Sequence, residues 1–474
     1  MLRLAYFIAI GLLVGCAADP NSTSANRPPN VVVIFVDDLG YGDLSAYGQT
    51  AYQTPHLDRM VAEGSRFTQF YVSQPVCSAS RASLLTGNYS NRIGFHGALG
   101  PGARHGLHED ELTMAELFKQ EGYGTAIFGK WHLGHHAPFL PTAHGFDTFY
   151  GIPYSNDMWP FHPENPEAWG DLPTIEDTTI VGYNTDQTRF TTDFTTRAVA
   201  FMEEQAAQER PFFVYLAHPM PHVPLFVAEE RADASGAGLY GDVIAEIDWS
   251  AGEVLGTIAR LGLDDNTLVI FTSDNGPWLS YGNHSGVTGG LREGKGTTWE
   301  GGVRVPFIAR WPGVIPAGRT VDTPAMTIDV LPAMAELLGI PLPERPIDGR
   351  SMWPLLTGAS DAPPQDAYFF YYHVNELQAM RSGPWKLYFP HRYRTMQGQD
   401  GGLDGMPGKY THLNTGTELY NLANDPFETT DVAAQHPAVV ARLSVLADSM
   451  RADLGDRLTG VEGTGYREPG RLVP

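Results

Sequence analysis

Residues 31–38 have the sequence VVVIFVDD, an unbroken run of β-branched and aromatic residues that ends in two aspartates. A run of this kind fits a strand that is buried on both faces, as in a parallel sheet covered by helices. In open α/β sheets, ligands bind at the carboxyl ends of the strands. Two adjacent carboxylates repel each other unless a cation lies between them, so Asp37 and Asp38 predict a cation site at this edge.

Three further apolar runs also end in polar side chains. The residues that follow these runs are Lys130 and His132 after 124–128, His218 and His222 after 212–216, and Asp274 and Asn275 after 267–271. Strand periodicity places Lys130 and His132 on the same side, and the prolines of HPMPH stiffen the segment that presents the two histidines. We therefore predict that carboxylates, an amide, a lysine and histidines meet at one edge of a sheet.

Residues 75–87, PVCSASRASLLTG, contain the second of the two cysteines in the chain. The pattern predicts a short helix that begins just after Cys77 and ends at a C-cap on Gly87. A helix N-terminus favours negative charge, and Arg81 adds a cation one turn later, so residue 77 can hold an anion beside it. A buried structural cysteine is the commoner alternative.

Apolar periodicity predicts four helices, over residues 56–70, 113–121, 241–260 and 437–454. A short strand is expected between the first helix and the Cys77 segment. The acidic residues of the third helix, Asp242, Glu246 and Asp248, are expected on its solvated face. Asp43, in GYGD, is expected to be a turn residue.

Residues 153–196 are rich in Pro, Trp, Asn and Asp and show little periodicity, which predicts a long surface insertion around a cleft. Trp159, Trp169 and Trp278 are candidates for the lining of a carbohydrate cleft, and loop tryptophans also have other roles. Lys295 lies between two glycines, in a loop whose backbone can approach a ligand closely. A flexible surface turn is the alternative there.

From about Tyr368, short alternating segments precede the last predicted helix, which indicates a small antiparallel sheet capped by a helix. The predicted fold class is therefore α/β, with a large mixed, mostly parallel sheet between helices and a smaller C-terminal α+β domain. We predict the main domain over residues 30–367 and the C-terminal domain over residues 368–474.

The first fifteen residues predict an export signal, because a short cationic start precedes an apolar run that is too short to span a bilayer. The following Leu13-Val14-Gly15-Cys16 resembles a bacterial lipoprotein cleavage box, in which Cys16 becomes the lipidated first residue. An ordinary signal peptide cut nearby is the alternative. Residues 16–29 then form a tether. We expect an exported protein of the periplasm or cell envelope, in membrane contact only through this lipid.

The formal net charge of −23 argues against nucleic acid as a partner and against attraction to an anionic membrane surface. An anionic substrate would need a metal or clustered cations that reverse the field locally. With Cys16 assigned to lipid, Cys77 stands alone, so we expect no intramolecular disulfide.

Taken together, the motifs resemble the type I, formylglycine-dependent sulfatases of the alkaline phosphatase superfamily. They are DDLGYGDLSAYG, CSASRASLLTG, GKWHLG, HPMPH, FTSDNG, GKGTTWEGGVRVPFIARWPG and LYNLANDPFE. The resemblance runs from Asn30 to the C-terminal strands and points in particular to the arylsulfatase A and N-acetylgalactosamine-6-sulfatase group. Several independent motifs in the right order form a far more specific signal than one pattern match.

The resemblance implies that Cys77 is oxidised after translation to formylglycine by a formylglycine-generating or radical-type maturation enzyme. It implies one calcium ion, consistent with the preference of Ca²⁺ for hard oxygen ligands, bound by Asp37, Asp38, Asp274 and Asn275. It further implies that Arg81 binds the hydrated aldehyde and that His132 pairs with the diol of that aldehyde. The sulfate group would be bound by Lys130, His222 and Lys295. His218 matches the family less firmly and is expected to be structural.

The implied activity is hydrolysis of carbohydrate or aryl sulfate esters. One hydroxyl of the diol attacks sulfur, while His222 or Lys295 protonates the departing alcohol. His132 then removes a proton from the second hydroxyl, and sulfate leaves the covalent sulfo-enzyme intermediate by elimination. A metal and several cations would neutralise charge as the S–O bond breaks.

Ala79 in the CSASR motif stands where the family most often has proline, an exchange found in bacterial members, so the maturation system stays open. One other possible function is a phosphatase, phosphodiesterase or phosphonate monoester hydrolase of the same superfamily. Two-metal phosphatases commonly have Asp-His where this chain has Asp274-Asn275, which favours one metal and sulfate. A second possibility is a non-catalytic lipoprotein that binds sulfated glycans.

Overall fold

The computed structural model of the protein describes residues 27–472. The predicted signal peptide, the lipidated Cys16 and most of the predicted tether lie outside the described residues. Within the described range, no helix combines the length and the apolar character needed to cross a membrane.

The secondary structure between residues 27 and 472 alternates between strands and helices. The strands are β1 (Asn30–Val36), β2 (Ser65–Tyr71), β3 (His105–Gly106), β4 (Gly124–Lys130), β5 (Thr148–Ile152), β6 (Pro173–Glu176), β7 (Thr179–Tyr183), β8 (Phe212–Ala217), β9 (Thr267–Ser273), β10 (Arg304–Arg310), β11 (Arg319–Val321), β12 (Ala325–Met326), β13 (Tyr368–Tyr372), β14 (Glu376–Ser382), β15 (Trp385–Tyr388), β16 (His391–Thr395), β17 (Thr411–Thr415), β18 (Glu418–Asn421) and β19 (Gly470–Arg471). The helices are α1 (Pro55–Ala62), α2 (Cys77–Thr86), α3 (Met114–Gln120), α4 (Phe190–Ala207), α5 (Gly238–Arg260), α6 (Glu300–Val303), α7 (Val330–Leu338), α8 (Trp353–Thr357) and α9 (Pro437–Leu454).

The largest sheet in the described part of the chain has eleven strands, in the order β11-β2-β10-β9-β1-β8-β4-β5-β6-β7, with β12 also paired to β2. Strands β9, β1, β8, β4 and β5 pair in parallel. Antiparallel pairs occur on both sides of this centre, through β10 and through β6 and β7. The predicted mixed, mostly parallel sheet is therefore confirmed.

Helices cover both faces of this sheet, as the unbroken apolar run of β1 predicts. Val31, Val33 and Phe35 belong to one buried core, with residues of α2, α3 and α7. The alternate residues of β1, from Val32 onward, belong to a second core with residues of α1, α4 and α5. Because successive side chains of a strand point to opposite faces, one short run contributes to both cores.

The C-terminal region contains a four-stranded antiparallel sheet of order β13-β14-β15-β18, against which α9 packs. This arrangement confirms the predicted C-terminal sheet and helix, including the predicted bounds of α9. Apolar residues of β13, β14, β15 and α9 join the same core as α2 and α3. The second region is thus packed directly onto the main sheet.

A buried ion-pair network also joins the two regions. The Lys386 Nζ atom on β15 lies 2.8 Å from a carboxylate oxygen of Glu300 in α6 and 3.3 Å from one of Glu428. All three side chains are buried. Burial acts to raise the pKa of Glu300, but Lys386 and Arg304 bring it down to about 2, so this carboxylate stays charged at neutral pH.

Two expectations about local structure need correction. Helix α1 ends at Ala62, and most of the remaining segment of the predicted helix 56–70 forms strand β2 instead. Gly64 lies at this break, where a Cβ atom would collide with the backbone of β10. The predicted insertion 153–196 is irregular only in part, because β6 and β7 extend the sheet and α4 begins at Phe190.

The acidic residues of α5 are not on a solvated face. Asp242, Glu246 and Asp248 are all buried. Asp248 accepts hydrogen bonds from the backbone N–H groups of His56 (3.2 Å) and Leu57 (2.8 Å), and so caps the N-terminus of α1 from another helix. Asp242 likewise accepts hydrogen bonds from backbone N–H groups of the loop that precedes α5. Helix periodicity cannot reveal partners that come from distant segments.

We predict that Lys386→Met lowers the free energy of unfolding by about 3–5 kcal/mol, because it removes the cation that two buried carboxylates, Glu300 and Glu428, share. Urea denaturation measures this change. Lys119→Met is a control, since Lys119 is 46% exposed and pairs with Asp147 on the surface. It should cost less than about 1 kcal/mol. Equally small losses in both variants would contradict the prediction.

Candidate active site

The structure brings together the polar ends of the four predicted strands. Strands β9, β1, β8 and β4 are neighbours in the sheet, and their carboxyl ends share one edge. The predicted site residues that cluster there are Asp37, Asp38, Lys130, His132, His222, Asp274 and Asn275, joined by Cys77, Arg81 and Lys295 from elsewhere in the chain. All of them are buried.

Asp37 lies between two cations at the centre of this cluster. Lys130 Nζ donates a hydrogen bond to Asp37, and Arg81 Nη2 lies 3.5 Å from the same carboxylate. Arg81 also donates to Asp274 at 2.9 Å. Burial acts to raise the pKa of Asp37, but Lys130 and Arg81 lower it well below its usual range. Asp37 is therefore a charged oxygen ligand at neutral pH.

Asp38 follows with a positive φ of 65°, a conformation that non-glycine residues adopt rarely. Its N–H donates to Asp274 Oδ1 at 3.1 Å, and its carboxylate accepts from Asn275 Nδ2 at 2.7 Å. Lys295 Nζ lies 2.7 Å from the same carboxylate, and His222 Nε2 lies 3.7 Å from it. The strained turn thus points Asp38 at groups from three other segments.

Cys77 is the first residue of α2, and the helix ends at Gly87 in a left-handed conformation, as predicted. The Sγ atom lies 3.4 Å from Lys295 Nζ. Burial, together with the Asp37 carboxylate, raises the pKa of the Cys77 thiol well above its usual value. The unmodified side chain is therefore a neutral thiol and a weak nucleophile in these surroundings.

The two site histidines have assigned tautomers, because each ring has one nitrogen against a carbonyl oxygen that can only accept. His132 Nε2 lies 2.8 Å from the Leu99 carbonyl and therefore carries a proton. Its Nδ1 is buried and has no hydrogen-bond partner within residues 27–472. His222 Nδ1 lies 2.5 Å from the Val223 carbonyl, which leaves the Nε2 lone pair facing Asp38.

His218 lies apart from the cluster. Its Nε2 forms a 2.9 Å hydrogen bond with the Ser250 hydroxyl on α5. Burial lowers the pKa of His218 to about 3, so the ring is neutral. The geometry is that of a structural histidine, as the sequence led us to expect.

The residues present fit a metal ion. Ligand atoms of Asp37, Asp38, Cys77 and His222 lie within 4.8 Å of one another. Asp37 Oδ1 and Asn275 Oδ1 are buried oxygen atoms for which the described residues offer no hydrogen-bond donor. Since buried oxygen atoms without a partner are costly, a cation between them satisfies both. Carboxylate and amide oxygens are the donor set of hard divalent cations.

Nothing in the sequence indicated Ser155, and the pattern predicted the turn at Asp43 but not the burial of that side chain. Lys130 Nζ donates to the Ser155 hydroxyl at 3.0 Å. Ser155 follows the end of β5, the strand next to β4, so the rule of strand ends would have found it had β5 been recognised. Asp43 is in a turn but is fully buried, where its carboxylate holds the loop after Asp38 against Val287.

The three candidate tryptophans separate in the structure. Trp169 and Trp278 line one cleft beside the cluster. The Trp159 ring instead lies 5.1 Å from that of Phe161 and 5.8 Å from that of Phe226. Trp278 contacts the cluster directly, with its ring centre 4.5 Å from Lys295 Nζ and 5.5 Å from the His222 ring.

A buried group of cations beside a carboxylate-lined cation site suits an enzyme that stabilises negative charge on a transferred oxyanion. Residues 29–340 match the family model described as Sulfatase, and residues 364–461 match the C-terminal region of aryl-sulfatase. Residues 294–394 also match the C-terminal model of N-sulphoglucosamine sulphohydrolase. The chain belongs to the sulfatase family.

Individual relatives agree with this assignment. Arylsulfatase A of Homo sapiens is 42% identical over 385 residues, which cover 77% of this chain and 75% of that protein. N-acetylgalactosamine-6-sulfatase of Canis lupus familiaris is 36% identical over 446 residues, with 88% and 84% covered. The solved PsFucS1 sulfatase from Pseudoalteromonas sp. has a TM-score of 0.79 at 27% identity, with 90% of each chain covered. The protein is a sulfuric ester hydrolase of the arylsulfatase A and N-acetylgalactosamine-6-sulfatase group, with an alkaline-phosphatase-like fold.

We predict that Asp43→Ala lowers the free energy of unfolding by about 3 kcal/mol or more, because it leaves buried N–H and O–H donors without an acceptor. The carboxylate accepts from Gly40 N–H (2.6 Å), Val287 N–H (2.8 Å) and the Tyr240 hydroxyl (2.6 Å). Asp43→Asn keeps the shape and one acceptor oxygen, so its loss should be smaller. Chemical denaturation of both variants measures the difference, and equal losses would contradict this account.

Proposed function

We propose that this sulfatase hydrolyses carbohydrate or aryl sulfate esters by means of a formylglycine made from Cys77. The observation that carries the proposal is the position of residue 77. It lies at the N-terminus of α2, with Sγ 3.4 Å from Lys295 Nζ, in a buried cluster that also contains Arg81 and Lys130. Each of these features favours an anion at residue 77.

A hydrated formylglycine supplies two hydroxyls on one carbon, one to attack sulfur and one to let sulfate depart by elimination. Cysteine and serine each lack the second hydroxyl. The neutral, buried thiol of Cys77 is a poor nucleophile, which is a physical reason for its oxidation. Arg81, four residues later on α2, orients the carboxylates of Asp274 and Asp37 and provides positive charge one helical turn from residue 77.

The charges of the cluster suit an anionic substrate in a chain of net charge −23. The formally charged side chains are Asp37, Asp38, Asp274, Arg81, Lys130 and Lys295. The three carboxylates and three cations balance, so a divalent cation would add two positive charges. Lys130 and Lys295 would then donate hydrogen bonds to the sulfate oxygens and neutralise the charge that develops as the S–O bond breaks. His222, whose one proton is held by the Val223 carbonyl, would have no N–H to offer them.

His132 is suited to act as the base. Its Nε2 proton is held by the Leu99 carbonyl, and Nδ1 is left as a free acceptor. Burial, with Lys130 and Arg81 nearby, lowers the pKa of His132 well below its usual value, so the ring is neutral at physiological pH. Nδ1 would take the proton of the second hydroxyl of residue 77 after the alcohol has left.

Two groups are candidates for protonating the departing alcohol oxygen. Burial and Lys295 lower the pKa of His222, and its one proton is held by the Val223 carbonyl. Burial acts to lower the pKa of Lys295, but Asp38 and other anions raise it well above its usual value. Lys295 therefore carries a proton at neutral pH, and we assign proton donation to its Nζ atom, with His222 Nε2 as a hydrogen-bond acceptor.

We propose that the metal is one calcium ion held by Asp37, Asp38, Asp274 and Asn275. These residues would hold the ion, which when bound would supply positive charge next to the sulfate oxygens. The four side chains offer only carboxylate and amide oxygens, which favours Ca²⁺. The buried oxygens of Asp37 and Asn275 that have no donor among the described residues support the assignment.

We also propose export to the periplasm or cell envelope, with a lipid on Cys16, because the first sixteen residues resemble a lipoprotein signal. A formylglycine-generating or radical-type enzyme would oxidise Cys77. We propose residues 30–367 as the catalytic domain and 368–474 as the C-terminal subdomain. The change from a mostly parallel to an antiparallel sheet between β12 and β13 supports this division.

The first test compares hydrolysis of nitrophenyl sulfate with that of nitrophenyl phosphate, using protein made in a host with a maturation system. We expect sulfate turnover to be faster, and Cys77→Ala to lower it by about 10⁴-fold or more. Intact-peptide mass spectrometry should show the thiol sulfur of Cys77 replaced by an aldehyde oxygen. Faster phosphate turnover would favour a phosphatase-type reaction, and an intact thiol without sulfate release would favour a binding lipoprotein.

The second test removes the metal. We expect chelation to abolish turnover, and Ca²⁺ at a hundredfold excess over its dissociation constant to restore it and to stabilise the fold by about 2.7 kcal/mol. Titration calorimetry should show Asn275→Ala weakening Ca²⁺ affinity by about tenfold or more. Asn424→Ala, at an exposed surface position, is the control. Wild-type protein that binds no Ca²⁺ would refute this metal assignment.

A further inference from the structure

An open cleft of about 440 Å³ begins where the catalytic cluster ends. Its aromatic lining comes from three separate segments of the chain, namely Trp169 before β6, Trp278 and Tyr281 after β9, and Tyr410 before β17. Trp278 also contacts Lys295 and His222. A group held in this cleft would therefore be adjacent to the atoms that grip the sulfate.

The lining of the cleft mixes aromatic faces with hydrogen-bonding groups. Asp157, Glu164 and Asn165 lie on one side, in the irregular segment after β5. Aromatic faces carry negative charge and attract the positive C–H edges of a ring, while carboxylates and amides bind hydroxyl groups. With Arg394 as the one cation beside these two carboxylates, the lining has a formal charge of −1 and disfavours a second anionic group on the substrate. This chemistry suits an uncharged, hydroxylated ring.

Arg394, on β16, joins the cleft to the catalytic cluster. Its Nε donates to the Lys295 carbonyl at 3.1 Å, and Nη2 donates to the same oxygen. The guanidinium carbon lies 4.5 Å from the Tyr410 ring centre and 5.8 Å from that of Trp278. Gly296 follows Lys295 with a φ of 76°, and a Cβ atom there would collide with the guanidinium. One side chain therefore touches the cleft and fixes the backbone of Lys295.

The hairpin that carries Arg394 is itself fixed to the catalytic side of the cleft. In the loop between β16 and β17, Gly402 and Gly408 both donate their N–H groups to the Ser280 carbonyl, at 2.8 and 2.6 Å. Asn283 and Asp404 exchange two hydrogen bonds, of 3.0 and 2.8 Å. Arg394 thus lies on a hairpin from the C-terminal region that is anchored to the segment of residues 280–283 after β9.

We infer that this cleft is the subsite for the leaving alcohol, that its occupant is an uncharged sugar ring, and that Arg394 is a positioning residue that sets Lys295 against the sulfate. The inference rests on the proposed function. Arg394 would then be a residue of the C-terminal region that acts on the catalytic cluster. Through it, a sugar bound in the cleft would affect the position of Lys295, the proposed proton donor.

Arg394→Met should lower kcat for nitrophenyl sulfate by about 30- to 100-fold, since a misplacement of about 1 Å can cost this much, while KM changes less than threefold. Arg394→Lys keeps the charge and one donor, so it should recover part of kcat. Arg392→Met is the control, because Arg392 is exposed on the same strand. Unfolding midpoints and Ca²⁺ affinity of all three variants should match the wild type.

The sugar subsite is tested with galactose and N-acetylgalactosamine, each carrying one sulfate at each possible hydroxyl, and with the doubly sulfated form of each sugar. Trp169→Ala should raise KM for the preferred sugar about tenfold or more, a loss typical of one aromatic contact, while kcat stays within threefold. Asp157→Asn should narrow the preference for singly over doubly sulfated sugars. The subsite proposal would be overturned if the wild type preferred none of these sugars to nitrophenyl sulfate. It would also be overturned if Trp169→Ala and Asp157→Asn kept the sugar preference of the wild type.

The two levels of the proposal fail differently. If the matured wild type releases no sulfate from nitrophenyl sulfate, the proposed function fails. If it does release sulfate and Arg394→Met keeps kcat within threefold of the wild type, only the positioning role fails. A loss of kcat that tracks a lowered unfolding midpoint would also overturn that role, because it would show a purely structural contact.

Discussion

The pairing of opposite charges out of contact with water, at one edge of the main sheet, is the constraint on which the rest of this structure depends. Taking one ion out of water costs several kcal/mol, so carboxylates and cations can be buried here only together. Asp37 has Lys130 and Arg81 beside it, and Asp38 has Lys295. The sheet contributes by ending several parallel strands at the same level.

This constraint explains why the site is largely assembled before any ligand binds. Asp274 accepts from the Asp38 backbone and from Arg81, so each charged group is oriented by another. Groups that are already oriented do not have to reorganise when charge develops in a reaction. One of these contacts, from the Asp38 N–H to Asp274, also holds the left-handed turn at Asp38.

Much of this arrangement could be predicted from the sequence, because it follows from a local rule. Apolar runs that end in polar residues predict parallel strands whose ends converge, and this placed Asp37, Lys130 and Asp274 together. The rule failed where a contact depends on a distant segment. Asp248 looked like a solvated helix residue, yet it caps α1, and Arg394 gave no signal because its partner is a backbone carbonyl.

The burial of Cys77 bears on whether its proposed oxidation comes before or after folding. Its side chain is 2% exposed, enclosed by α2 and by the loop of Lys295. An enzyme that oxidised Cys77, as proposed above, would have to reach a side chain that the folded protein encloses. The proposed oxidation would therefore take place before the chain has closed around Cys77, and a chain that folded first would keep its thiol out of reach.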